Sequence, residues 1–276
     1  MYLKPECLQK NGSFKIRGAY NTLDGLSAEA KERGVVTCSA GNWAQGVAYG
    51  CQLLGIAALI VMPENVPCAK LEATKGYGAR VSLHGRTSTE LFHKARELSE
   101  ERHMTYLHAF DEPAMIFGHG SIGLEILDEE PDIDIILVPV GGDGLVSSIA
   151  LTARQINPQS RIFGVQPVGS ASMHASLKTG EVVELDKGKT ITEGLAVKRS
   201  EELTFEIARE WVEDISLVTD DEIKSAVLLL LEPAELLVEP SGAAPLAAVV
   251  NSRIPDLTKD TRVAVVLCGG NVDLTS

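Results

Sequence analysis

The sequence predicts an α/β protein built on parallel sheets flanked by helices, and three observations carry that expectation. Short β-branched or aliphatic runs alternate along the chain with longer stretches of helical period. Several of the runs are continuously apolar, as strands covered on both faces are. Glycine-rich turns follow two of the most apolar runs, at Gly141-Gly142 and Gly269-Gly270, where a strand must give way to another element.

Taken in order, the runs place strands at Val35–Thr37, Ile56–Met62, Ala79–Leu83, Ile133–Val140, Arg161–Gln166 and Arg262–Cys268, with Tyr2-Leu3 as the end of a further strand. Helices are predicted near 14–24, 42–54, 67–76, 87–103, 113–129, 145–156, 202–211, 220–231 and 241–251. A length of 276 residues suits one large domain or two modest ones. The stretch from Val35 to about Glu112 holds four short strand–helix units able to form a small sheet of their own. Both ends look abrupt, at Tyr2-Leu3 and at Thr275-Ser276, as if covering helices were absent or came from a partner subunit.

Composition narrows the function. Hydrophobic residues at 45% and charged residues at 23% match ordinary globular chains, and no apolar run is long enough to span a bilayer. Nothing at Met1–Glu6 resembles a secretory signal, so a cytoplasmic location is the default expectation. Cys7, Cys38, Cys51, Cys68 and Cys268 form no C-x-x-C pair and are odd in number, which argues for free thiols over a zinc site or a disulfide framework. A net charge of −13 repels a nucleic-acid backbone, which leaves a small molecule as the expected partner.

Four segments carry possible chemistry. Gly12-Ser13-Phe14-Lys15 opens a helix, and a lysine in that first turn, beside apolar Phe14, has its ammonium form destabilised and its neutral amine favoured. A Schiff-base lysine requires this, although an isolated Ser-Phe-Lys equally describes a solvated surface lysine. Ser39-Ala40-Gly41-Asn42 is a small-residue turn before a helix, where backbone N–H groups suit a carboxylate and where Asn42 could simply cap the helix. Gly141-Gly142-Asp143-Gly144-Leu145 follows an apolar strand and lets N–H groups converge on a phosphate, or is only a tight turn; it lacks the G-x-G-x-x-G spacing of a dinucleotide site. Cys268 ends a buried strand, where ligands of open α/β sheets gather and where structural cysteines also lie.

Together and in this order, five strings resemble the threonine deaminase and serine dehydratase family of fold-type II pyridoxal-phosphate enzymes, a tryptophan synthase beta-like, two-domain fold that also serves serine racemase. They are K-P-E-C-L-Q-K-N-G-S-F-K-I-R-G-A at 4–19, S-A-G-N-W-A-Q-G-V-A at 39–48, E-G-L-A-V at 193–197, E-P-S-G-A at 239–243 and C-G-G-N-V at 268–272. The resemblance implies a large cofactor-binding domain of residues 1–34 and 113–276 and a small domain of residues 35–112. It implies pyridoxal 5′-phosphate carried by Lys15, the catalytic residue, with Phe14 on the cofactor ring and Asn42 on its phenolic oxygen. Gly141, Gly142, Asp143, Gly144 and Leu145 would hold the phosphate, Gly194 would line the ring edge and Cys268 would pair with the ring nitrogen. Ser39, Ala40, Gly41 and Asn42 would grip the substrate carboxylate. The implied activity is that of a lyase that dehydrates and deaminates L-threonine and L-serine, of the kind that feeds isoleucine biosynthesis, in a homodimer or homotetramer. Alternatives are dehydration of a related β-hydroxy amino acid, serine racemisation, or an impaired homologue.

The pattern is broken in places. Ala40 stands where serine racemases carry a serine that acts as an acid, so racemisation should be minor. Gln166 and Ser172 replace the carboxylates of metal-dependent relatives, so no metal is expected. Trp43 replaces a histidine. Asp143 replaces a phosphate-loop glycine, and the expectation is that its side chain points outward to cap the helix starting near Leu145.

Overall fold

The computed structural model describes residues 1–109 and 112–272. In chain order its strands are β1 (Tyr2–Lys4), β2 (Val35–Cys38), β3 (Ala58–Met62), β4 (Arg80–Leu83), β5 (Thr105–Tyr106), β6 (Ile135–Pro139), β7 (Arg161–Pro167), β8 (Asp214–Val218) and β9 (Val263–Val266). Its helices are α1 (Lys15–Asp24), α2 (Ala28–Arg33), α3 (Asn42–Leu54), α4 (Cys68–Gly76), α5 (Ser88–Glu101), α6 (Pro113–Glu129), α7 (Gly144–Ile156), α8 (Ser172–Thr179), α9 (Glu202–Trp211), α10 (Asp220–Leu231) and α11 (Pro240–Val250). They group into two compact units, one of Met1–Phe14 with His119–Val272 and one of Lys15–Gly118.

The first unit is built on a parallel sheet in the order β1-β9-β6-β7-β8. Alternate residues of a strand face opposite sides, and here both sides are apolar. Ile136, Val138, Ile162, Ala264 and Val266 pack with Ile122, Ile126, Val146 and Ile149 of α6 and α7. Ile135, Leu137, Phe163, Val165, Val263 and Val265 pack with Ile223 and Ala226 of α10 and Ala243, Ala244 and Ala247 of α11. That double coverage explains why β6 and β9 read as continuous apolar runs.

The second unit carries its own parallel sheet, in the order β4-β3-β2-β5. Val36, Leu59 and Val61 pack against Leu91, Ala95 and Leu98 of α5. Helix starts follow local rules: Thr87 and Glu90 form a capping box on α5, and Thr219 and Glu222 one on α10.

Every predicted strand and helix is present, with ends shifted by at most two residues. Tyr2-Leu3 is indeed strand, paired in parallel with Ala264-Val265. The abrupt end expected at Thr275-Ser276 lies outside the described residues. Four elements went unanticipated. β5 is two residues long and β8 mixes Asp214 and Ser216 with apolar neighbours, so neither makes a hydrophobic run. α2 buries only Ala30 and is held by its caps, Ser27 and Gly34. α8 buries little beyond Met173, so its period is faint.

Candidate functional site

In the first unit the site begins where two chain ends meet. The Phe14 N–H donates to the Cys268 carbonyl at 3.0 Å, the Gly270 N–H to the Gly12 carbonyl at 2.9 Å, and Ser13 bridges to Gly269. Phe14 and Cys268 are both buried, Cys268 two residues beyond the carboxyl end of β9. Strand β6 ends beside them in the sheet and delivers Gly141 to Leu145. Gly141 packs so closely that a Cβ there would lie 2.4 Å from the Gly194 carbonyl oxygen, so only glycine fits. Gly194 is fixed in turn, its N–H donating to Ser241 Oγ at 3.1 Å. Ser241 begins α11, whose Gly242 abuts the Cys268 backbone. Phe14, Gly141, Gly194 and Cys268 are thus joined through Ser241 into one framework.

That framework fits a phosphate. Among the described residues, no backbone acceptor meets the N–H groups of Gly141, Gly142, Asp143, Leu145 or Val146; the Gly144 N–H turns back to the Gly142 carbonyl and the Ser147 N–H to that of Asp143. Unsatisfied N–H groups at the start of the thirteen-residue helix α7, where the helix dipole is positive, are what an anion requires.

Asp143 corrects the sequence reading. It occupies the position before α7 with φ 62°, the left-handed conformation that aspartate tolerates, but its side chain makes no capping hydrogen bond and is buried at 2% exposure. Both carboxyl oxygens lack a hydrogen-bond partner, and so does the buried Ser200 hydroxyl, the one favourable neighbour. Burial pushes the carboxyl up to about 7, with Glu201 adding to the rise. The outward, capping role fails because the residues ahead of α9 close over the position.

In the second unit Lys15 is the first residue of α1, as the sequence predicts. Its Nζ donates to the Ala109 carbonyl at 3.4 Å and lies 5.8 Å from the centre of the Trp43 ring. Gly46 of α3 lets the two helices approach here, since a Cβ on it would sit 3.1–3.2 Å from Lys15 backbone and Cβ atoms. The Ser39-Ala40-Gly41-Asn42 turn joins β2 to α3. Ser39 Oγ accepts from the Gly41 N–H at 3.1 Å, and Gly41, not Asn42, is the residue ahead of the helix; Asn42 is its first residue. Trp43 Nε1 donates to Thr37 Oγ1 at 2.9 Å, and that hydroxyl donates to the Leu107 carbonyl at 2.8 Å. Trp43 therefore locks the turn from beneath.

Gln166 and Ser172 are spent on hydrogen bonds. Buried Gln166 donates to the Val140 carbonyl at 3.5 Å and accepts from the His174 N–H at 3.0 Å, while Ser172 Oγ donates to the Val197 carbonyl at 3.0 Å. Sequence reasoning missed Ser241 as the hinge of the framework, although it lies in E-P-S-G-A at 239–243. It also missed Thr37, which nothing in a β-strand pattern marks.

The chain is similar over nearly its whole length to known proteins. The profile of a family described as pyridoxal-phosphate dependent enzymes matches residues 1–269. L-threonine ammonia-lyase of Geobacter sulfurreducens is 45% identical over 274 residues, 99% of this chain and 68% of that protein. The processed form of threonine deaminase isoform 2 from Solanum lycopersicum superposes with a TM-score of 0.95 at 38% identity, covering 99% of this chain and 75% of that one. Maize serine racemase superposes with a TM-score of 0.96 at 36% identity, covering 99% and 84%.

Proposed function

The chain belongs to the pyridoxal-phosphate dependent enzyme family, and on that premise we propose that it is a threonine ammonia-lyase, converting L-threonine to 2-oxobutanoate and ammonia and L-serine to pyruvate and ammonia. The observation that carries the substrate is the 45% identity to an L-threonine ammonia-lyase across 99% of this chain. The free N–H groups that open α7 support the cofactor.

Bound pyridoxal phosphate supplies an electron sink for the pair released at the substrate α-carbon. Lys15 would hold that cofactor through Nζ and would accept the substrate α-proton on the same nitrogen. The N–H groups of Gly141, Gly142, Asp143 and Leu145 would hold the phosphate; Phe14 would pack on the ring, Asn42 would serve the phenolic oxygen and Gly194 would line the ring edge. Cys268 would offer the ring nitrogen a thiol, a weak donor that would engage the sink only in part. That would favour loss of the β-hydroxyl. Ser39, Ala40, Gly41 and Asn42 hold the substrate carboxylate, fixing its orientation.

Racemisation is the second reading, favoured by the TM-score of 0.96 to maize serine racemase. Ala40 weighs against it, because a methyl group cannot return a proton to the opposite face. The enzyme acts in the cytoplasm as a homo-oligomer in this proposal: among the described residues none of its five cysteines is in a disulfide, as in a reducing compartment, and Leu228, Leu229 and Leu231 leave an exposed apolar stretch on α10.

The test is incubation with L-threonine and L-serine, measuring keto acid and ammonia. Equimolar products are expected from both, with product formation falling by about 10³-fold or more in Lys15→Ala, together with loss of the visible absorbance of lysine-bound cofactor. Absence of 2-oxobutanoate from the wild-type protein overturns the assignment.

A further inference from the structure

The Asp143 carboxyl has no part in the chemistry above, yet the residue sits in the middle of the phosphate cradle. Gly142 precedes it and Gly144 follows, and its own N–H is one of those without a backbone acceptor among the described residues. Its side chain is buried at 2% exposure with both oxygens unpartnered. From the segment ahead of α9 it faces Ser200, which is neutral, and Glu201, which is negative and is 3.8 Å from Arg199. Among the described residues no cation compensates it: Arg199 is engaged by Glu201 and, at 2.7 Å, by Glu202. A buried carboxylate in this loop therefore meets burial, Glu201 and the incoming phosphate, all of which oppose its charge.

We propose that Asp143 is a proton-linked part of the phosphate cradle, which takes a phosphate monoester with this carboxyl protonated and loses affinity as it ionises. The proposal rests on the reading of Gly141 to Leu145 as the phosphate loop. A neutral carboxyl removes the repulsion and gains a donor for Ser200 or for the phosphate itself. The left-handed backbone at φ 62° fixes the residue in place, so ionisation cannot be relieved by a simple turn of the loop. Burial, with Glu201 adding to it, raises the carboxyl to about 7 before any ligand arrives, so the linkage falls where enzymes work.

The experiment measures binding of pyridoxine 5′-phosphate, which has no aldehyde for Lys15, to the full chain freed of cofactor, by calorimetry between pH 6 and pH 8. Titration of the ligand phosphate cancels in the ratio of dissociation constants between wild type and Asp143→Asn. That ratio is expected to rise by about tenfold over the interval, the factor that a carboxyl titrating near 7 imposes. Wild type should also take up a proton on binding at pH 8 that the variant does not. Asp143→Gly, whose backbone accepts φ 62° without strain, is the second variant and should show the same pH dependence as Asp143→Asn. Parallel pH curves for wild type and both variants overturn the proton link while leaving the phosphate loop standing. Equal affinity for pyridoxine and pyridoxine 5′-phosphate overturns the loop assignment, and the proposal with it.

Discussion

Replacing Thr37 with valine isolates what holds the Ser39–Asn42 turn. The side chain is fully buried, and its hydroxyl accepts from Trp43 Nε1 at 2.9 Å while donating to the Leu107 carbonyl at 2.8 Å. Valine keeps the shape and the strand preference but orphans the indole N–H and the carbonyl, each at about 1–3 kcal/mol. Burying a methyl in place of the hydroxyl returns about 0.8 kcal/mol. The net expectation is a loss of about 1–5 kcal/mol. Urea unfolding followed by tryptophan fluorescence reads this from the shift in midpoint at constant slope. Thr37→Ser, which retains the hydroxyl, should recover most of it. Because Trp43 adjoins Asn42, the KM for threonine should rise in Thr37→Val more than kcat falls. A midpoint shift worth less than about 0.5 kcal/mol, the range of an inert surface change, refutes the claim that this chain of hydrogen bonds secures the turn.

The remaining predictions concern the cradle and the reaction course. Gly141→Ala drives a methyl against the Gly194 carbonyl, 2.4 Å away in ideal geometry, so cofactor affinity should fall about 5- to 150-fold, the equivalent of overpacking of about 1–3 kcal/mol; equilibrium dialysis checks it, and unchanged binding counts against the framework. Ala40→Ser restores a hydroxyl beside Gly41, and D-serine formed per pyruvate should increase, read by chiral chromatography; no change removes Ala40 as the reason for low racemisation. Asp143 also sets a pH dependence of stability. Its folded value of about 7 lies above the ordinary carboxyl value of 3.8, so the folded state holds a proton that the unfolded state has lost, and stability drains away as pH rises through that window and levels off above it. Asp143→Asn should therefore stabilise the cofactor-free protein, by about 2–3 kcal/mol more at pH 8 than at pH 5. Unfolding midpoints at the two pH values decide it, and an equal effect at both is the contrary result.

Much of this was legible in the sequence because the signals are local. Apolar runs such as Ile135–Pro139 and Ala58–Met62 announce buried parallel strands, and the glycines after Val140 announce a strand-to-helix turn. Lys15 at the head of α1 follows from the same logic. The strands that escaped notice, β5 and β8, are the terminal strands of their sheets, with fewer neighbours to demand apolar residues on both faces.

What the sequence could not show is where a side chain goes when its surroundings come from far along the chain. Asp143 illustrates this. Its dipeptide context, glycine on each side before a helix, describes a capping aspartate, and the left-handed backbone is of the kind this residue tolerates. The deciding residues, Ser200 and Glu201, lie more than fifty positions later and carry no mark of their own. Ser241 is the same case in reverse: a hydroxyl that looks like an ordinary helix-start serine becomes the post to which Gly194, and through it Gly141, is tied. Local pattern thus locates the loop that can bind an anion, whereas the non-local neighbours decide which groups stand behind it and in what charge state. A substitution in such a loop has to be judged against those neighbours, which is why the same aspartate that reads as a harmless cap becomes, once buried, the residue that ties cofactor affinity to pH.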